Sequence, residues 1–355
     1  MKGLEFPIIG TKVKGLNKKF DLNSPNGRKK YFEAKCGDEI KLINKYLQKN
    51  TFVAYLIGKK NSGKGTYSQI FAEIFGDEKI SLVSIGDVVR NVSGDWDNFK
   101  KSKKYQELKK MYRGYLSFDD ACDTLIGRST SKLLPTEFIL ALLKLHIQDL
   151  KGKTLFIDGL PRELDQVSYS LYFRDLIDYR DDPDMFILID IPESVIDERI
   201  KYRVVCPSCK NTRNIKLLIT NKYEYDDKEK KFYLLCDSPR CKGGFRMEPK
   251  EGDNLGIEPI RDRLDKDEEI LKKAFALHGI PKILLRNHVS VTESEELFDD
   301  YEITPEYIFE KKGKEIKVIE KPWSIKDDNG TESASLLSAP VVVTLLKQLA
   351  EVLRV

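Results

Sequence analysis

The sequence predicts an α/β fold, a parallel β-sheet wrapped by helices on both faces, and three observations carry that reading. Strand-length apolar runs alternate with helix-length segments along most of the chain. Two of the runs, Thr154 to Ile157 and Met185 to Ile191, are continuously apolar, as strands covered on both faces must be. A glycine-spaced loop, Gly58-Lys59-Lys60-Asn61-Ser62-Gly63-Lys64-Gly65-Thr66, joins the first run to a helix.

The elements follow in order. Residues 1–50 form a basic extension in which Lys and Arg outnumber Asp and Glu about two to one. It holds a turn-rich stretch, DLNSPNGRKKYF, then a helix from Asp38 to Lys49, and is expected to be a solvated addition packed on the core surface. The apolar run from Phe52 is the first strand, and Thr66 to Phe75 the helix after the loop. Ile80 to Ile85 (ISLVSI) is a second strand. Asp97 to Arg113 is a charged helix. Pro135 to Leu150 is amphipathic, with Phe138, Ile139, Leu142 and Leu143 on one stripe and Pro135 in its first turn. Beyond the third and fourth strands come a helix from Glu193 to Tyr202, a cysteine-bearing segment and a helix from Pro259 to Leu277. A last strand, Glu315 to Ile319, and a final helix, Pro340 to Leu353, close the pattern.

Bulk properties narrow the class. A chain of 355 residues with 41% hydrophobic residues can hold a sizeable core and more than one domain. Its net charge of +4 is small for the length and argues against a nucleic-acid coat. The stretch MKGLEFPIIGTKVKG has no long apolar segment, and Leu336 to Leu346 contains Pro340 and is too short to span a bilayer. A cytoplasmic protein without a membrane partner is expected, working as a monomer.

The loop has a definite use. Its glycines let the backbone curl so that successive N–H groups point at a polyphosphate, the lysine bridges the outer phosphates, and the positive end of the following helix dipole adds attraction. A lysine-rich surface turn is the bland alternative, but strand, loop and helix stand in the required order. Gly65 occupies the place where a Ser or Thr commonly follows the lysine, and Thr66 comes next.

Four of the six cysteines cluster. Cys206-Pro207-Ser208-Cys209 and the pair Cys236 and Cys241 are two knuckle-like pairs separated by twenty-six residues, while Cys36 and Cys122 stand alone. Four thiolates close a tetrahedral Zn²⁺ site with no open position, so a structural metal is expected. A redox dithiol or four unrelated buried cysteines are the rivals. His146, His278 and His288 read as ordinary helix or loop histidines.

Further motifs accompany the loop: Ser84-Ile85-Gly86-Asp87-Val88-Val89-Arg90; Asp158-Gly159-Leu160-Pro161-Arg162 with Gln166; Glu198-Arg199-Ile200-Lys201-Tyr202-Arg203; and Arg261-Asp262-Arg263-Leu264. In this set and order the chain resembles the adenylate kinase family of nucleoside monophosphate kinases, over roughly residues 52 to 280. The resemblance implies a core in 51–90, 151–203 and 256–355, a helical insert that binds the monophosphate (91–150), a mobile zinc-stabilised lid (204–255), and MgATP as phosphoryl donor. It implies that Gly58, Asn61, Ser62, Gly63, Lys64, Gly65, Thr66 and Arg199 hold ATP. Ile85, Arg90, Gly159, Arg162, Gln166 and Arg263 would hold the acceptor. Lys64, Arg199, Arg203 and Arg263 would surround the transferring group, and Asp158 would anchor Mg²⁺ and its waters, although a carboxylate capping the turn at Gly159 is a serious rival.

Phosphoryl transfer between two anions asks mainly for charge neutralisation and alignment, which an arginine cluster supplies. Arg199 and Arg203 are four apart and share a helix face. Gln166 fits an adenine edge and favours AMP. Ile85 replaces the family's usual threonine, Leu160 replaces an aromatic residue, and the segment between Arg90 and Leu134 is about twenty residues longer than the family leads one to expect. A UMP/CMP or broad-specificity kinase is therefore the same-class alternative. A zinc-knuckle nucleic-acid binder with a regulatory loop is the other. The lid lacks the family's arginine before an Asp-Asp pair, and Lys250 or Arg246 is expected to substitute, with a looser latch.

Overall fold

The computed structural model describes residues 4–127, 134–150, 152–161, 184–238, 241, 244–313 and 315–354. Among them, five parallel strands form the central sheet in the order β10 (Lys282–Arg286), β4 (Asp184–Asp190), β1 (Val53–Gly58), β3 (Thr154–Asp158), β2 (Ile80–Ser84). Its three central strands are almost wholly buried, so their continuous apolar runs have covered faces on both sides. In register, Leu56 pairs with Asp158, Asp158 with Ser84, and Gly58 with Ile189. The carboxyl ends of β1, β2 and β3 therefore lie together, the edge of an open parallel sheet where ligands bind.

One face is covered by α1 (Pro25–Tyr46), α2 (Lys64–Phe75) and α10 (Ser338–Leu353); the other packs against α7 (Thr136–Gln148) and α9 (Arg261–Ala276). The helix ends follow local chemistry. Ser84 Oγ accepts from Asp87 N at the start of α3 (Ile85–Gly94), and Ser24 caps α1 ahead of Pro25. The charged stretch expected as one helix is two, α4 (Trp96–Lys101) and α5 (Lys103–Met111), because Ser102 is extended and caps the second. With α6 (Phe118–Leu125) they pack on α7 through Tyr105, Tyr112, Phe118 and Phe138, whose rings meet at 5.4 to 5.9 Å.

Three expectations are corrected. The fifth sheet strand is β10, Lys-Ile-Leu-Leu-Arg, which the sequence pattern does not mark as a strand. Glu315–Ile319 belongs instead to a separate antiparallel hairpin of β12 (Pro305–Lys312) and β13 (Glu315–Pro322). The basic extension does not merely sit on the surface: Tyr31, Phe32 and Ile43 of α1 are buried in the core. Glu302, wholly buried, accepts from Tyr31 Oη at 2.5 Å and Thr11 Oγ1 at 2.7 Å, which bolts the extension to the C-terminal third.

The cysteine-bearing segment follows α8 (Glu193–Lys201). It consists of a three-stranded sheet, β6 (Thr212–Asn214), β5 (Arg203–Val205) and β9 (Glu248–Pro249), with a hairpin of β7 (Tyr223–Asp226) and β8 (Lys231–Leu234). A second small sheet joins β11 (His288–Ser290), β15 (Glu332–Ser335) and β14 (Ile325–Lys326).

Candidate active site

The loop after β1 is shaped by two residues with left-handed backbone, Asn61 (φ 64°) and Gly63 (φ 98°). A Cβ at Gly63 would stand 2.8 Å from the Tyr67 ring, so only glycine fits the turn into α2. The loop then delivers the first-turn N–H groups of α2, which the helix itself does not use. Lys64 folds back over it: Nζ donates to the carbonyls of Gly58 at 2.8 Å and Lys59 at 3.1 Å, and stands 4.0 Å from Asp158 Oδ1. Among the described residues, Asn61 Nδ2 and Ser62 Oγ are buried with no protein hydrogen-bond partner.

Two clefts open at this point. One, of about 550 Å³, is lined by Ser62 to Thr66 together with Arg199 and Arg203, Arg213 and Leu218 of the cysteine-bearing segment, and Leu336 to Ser338. The other, of about 630 Å³, is lined by Gly58, Ser84, Gly86, Arg90, Gly159 and Arg263. Asn61, Lys64 and Asp158 line both. The clefts therefore meet over the phosphate loop.

Each arginine is held by a specific partner. Arg199 is partly buried; its Nη2 donates to Asn287 Oδ1 at 3.1 Å, and Asn287 Nδ2 donates to Tyr67 Oη at 3.0 Å. Burial pulls the Arg199 pKa down, and the facing Tyr67 opposes it. Arg203 makes a two-toothed contact with Asp253. Arg263 Nε lies 2.9 Å from Asp267 Oδ1, whose other oxygen accepts the Lys60 N–H at 2.9 Å. Burial raises the Asp267 pKa, and Arg263 and Lys64 act against that rise. Arg90 is exposed at the rim and pairs with Asp87 one turn away.

Ile85 is buried in the core, and its neighbours Ser84 and Gly86 line the cleft. Arg162 and Gln166 lie outside the described residues. Arg246 is engaged with Asp226 and Glu229 and lies over the Tyr233 ring; neither it nor Lys250 lines either cleft, whereas Arg213 does. Sequence reasoning missed the residues that hold the arginines. Asp253 lies three residues after Lys250, where the Asp-Asp pair of the family is replaced by Asp253-Asn254, while Asn287 belongs to no motif.

The Sγ atoms of Cys206, Cys209, Cys236 and Cys241 all lie within 4.8 Å of one another, with Cys206–Cys241 at 3.8 Å and Cys209–Cys236 at 3.5 Å. A tetrahedron of thiolates around Zn²⁺ with bonds of about 2.3 Å places sulfurs about 3.8 Å apart, so this donor set fits the metal. Among the described residues the apolar cluster around it is small: Val204, Leu234 and Met247 are buried, with Ile215, Ile219, Tyr223 and Phe309 partly buried beside them.

Comparison with known proteins gives the same direction. The chain is 30% identical over 226 residues to the adenylate kinase of Kosmotoga olearia, covering 63% of this chain and 86% of that one. The chain belongs to the adenylate kinase family. It is also 27% identical over 242 residues to the adenylate kinase of Thermotoga petrophila, covering 65% of this chain and 94% of the relative. Against the mitochondrial GTP:AMP phosphotransferase of Drosophila melanogaster it is 28% identical over 153 residues, 43% of this chain and 56% of that one. No protein-family model matches the chain. As a member of this family the chain is a nucleoside monophosphate kinase, and its paired clefts are the arrangement such a transfer needs. Among the described residues no helix is long and apolar enough to cross a membrane.

Proposed function

We propose that the chain transfers the terminal phosphoryl group of MgATP reversibly to AMP, giving two ADP. The observation that carries this reading is the meeting of two clefts at Asn61, Lys64 and Asp158. The donor takes the cleft walled by Ser62 to Thr66, Arg199 and Arg203; the acceptor takes the one walled by Ser84, Gly86, Arg90, Gly159 and Arg263, and the family motif alone assigns Arg162 and Gln166 to the acceptor. An acceptor phosphate oxygen attacks the γ-phosphorus in line, and the bond from that phosphorus to the β–γ bridging oxygen breaks, leaving its electrons on ADP.

The chain's own residues supply alignment and charge. Lys64 and the first-turn amides of α2 hold the donor phosphates, while Arg199, Arg203 and Arg263 neutralise the oxygens as charge spreads. Asp158, about a third exposed between the clefts, is placed to orient the waters of Mg²⁺, which neutralises phosphate charge when bound with ATP. Closure of the 204–255 lid excludes water as a competing acceptor. In this reading Cys206, Cys209, Cys236 and Cys241 hold a structural Zn²⁺, and the protein acts as a cytoplasmic monomer.

AMP is supported as acceptor by the relatives, which are named adenylate kinase and GTP:AMP phosphotransferase. The test is a coupled assay of zinc-replete protein with AMP, UMP, CMP, GMP and dTMP against ATP and GTP as donors. AMP turning over fastest with ATP is expected; a pyrimidine monophosphate working where AMP fails would overturn the assignment.

A further inference from the structure

Lys59 is the second residue of the phosphate loop, yet its side chain points away from both clefts into the body of the protein. It is almost wholly buried. Its ammonium lies 2.8 Å from Glu193 Oε1 on α8, 2.8 Å from Glu268 Oε2 on α9, and 3.6 Å from Asp328 Oδ2 in the turn between β14 and β15. Arg261 pairs with Glu193 at 2.5 Å and Lys272 with Glu268 at 2.8 Å, so three cations face three carboxylates. A bare buried ammonium would be prohibitively costly; this one is compensated on each side.

The connections run straight to the reacting groups. The Lys59 carbonyl accepts Lys64 Nζ at 3.1 Å. Glu193 opens α8, the helix that carries Arg199 and leads into Arg203, and its N–H donates to Asp328 Oδ1 at 2.9 Å. Glu268 follows Asp267, which holds both Arg263 and the Lys60 N–H. A glycine-rich loop has few side chains of its own with which to fix its place, and here one side chain ties it to both arginine-bearing helices.

We propose that Lys59 is a positioning residue for phosphoryl transfer, its ammonium fixing the phosphate loop and Lys64 in register with Arg199, Arg203 and Arg263. Asp328 and Glu268 are its fixed points. The proposal rests on the kinase reading and concerns the rate of transfer, since Lys59 touches neither substrate.

The experiment compares Lys59→Met, Lys59→Arg and Asp328→Asn with the full-length wild type, measuring kcat and KM for each nucleotide per folded protein, with Tm alongside. A displacement of about 1 Å at a reacting group costs up to about a hundredfold in rate. Lys59→Met is expected to lower kcat by about tenfold or more while each KM moves less than about threefold. Lys59→Arg should recover part of the loss, and Asp328→Asn should lower kcat in the same direction by a smaller factor. Should Lys59→Met not fold, the double variant Glu268→Gln/Asp328→Asn takes its place, with a kcat loss of about fivefold expected. Variants whose Tm falls while kcat stays within about twofold of wild type would reduce Lys59 to a stability contact and overturn the proposal. Wild type inactive with every monophosphate would sink the kinase reading instead, so the two failures are distinguishable.

Discussion

Arg203 and Asp253, fifty positions apart in the chain, meet in a two-toothed ion pair, Nε to Oδ2 at 2.6 Å and Nη2 to Oδ1 at 2.7 Å. The pair joins the start of the cysteine-bearing segment to its end and holds the guanidinium at the cleft lined by Ser62 to Thr66. Removing the carboxylate leaves Arg203 partly buried and unpaired, a cost of about 1 to 3 kcal/mol. Asp253→Ala is expected to lower Tm and also kcat, because Arg203 loses the partner that orients it. Parallel calorimetry and steady-state kinetics check this; an unchanged kcat would show that Asp253 does not position Arg203.

The cysteine cluster makes a separate prediction. The apolar cluster around it is too small to hold the segment folded, so its stability should depend on metal. Exhaustive chelation, or Cys236→Ser, should melt residues 204–255 selectively and lower transfer by about tenfold or more while the central sheet stays folded. Co²⁺ added to the metal-free protein should give the intense absorption of tetrahedral thiolate coordination. Its absence, with one metal per chain not found by elemental analysis, would count against the site.

Much of this was legible in the sequence. Lys64, Asp158, Arg199, Arg203 and Arg263 converge because the strand–loop–helix order sets where each side chain lands, and the four cysteines because knuckle spacing does. What was not legible depends on contacts between distant segments. Asn287 is one polar residue after a strand, and only the fold reveals that it holds Arg199 and Tyr67. Lys59 looked like one more loop lysine, since its three acidic partners lie 134 to 269 positions away. The β10 signal is weak because only three apolar residues, Ile283 to Leu285, stand between Lys282 and Arg286.

The hairpin of β12 and β13 reaches over to the cysteine-bearing segment. Phe309 stacks on Phe232 and meets Tyr223 edge-on, both at 5.4 Å between centroids, while Tyr307 N donates to Lys216 O at 2.8 Å. Two aromatic pairs are worth about 1 to 3 kcal/mol beyond their buried area. Phe309→Ala should therefore raise hydrogen-exchange rates in β7 and β8 without changing those in the central sheet. Equal protection in β7 and β8 would mean that the hairpin merely rests on the segment.

His288 links stability to pH. It is buried, and desolvation first, then the neighbouring Arg286, pull its pKa down to about 3, against a weaker opposing effect of Asp327. In the unfolded chain the imidazole titrates near its ordinary value of about 6.5. Between those two values the unfolded state binds a proton that the folded state does not, so stability falls as pH drops from about 6.5 towards 3 and is untouched above that window. Carboxylates titrate in the lower part of the same range, so the comparison must be with a variant. His288→Gln should show a shallower loss of Tm between pH 6.5 and 5 than wild type, whatever its Tm at pH 7.5. Parallel Tm curves for the two proteins would mean that His288 keeps an ordinary pKa in the folded chain.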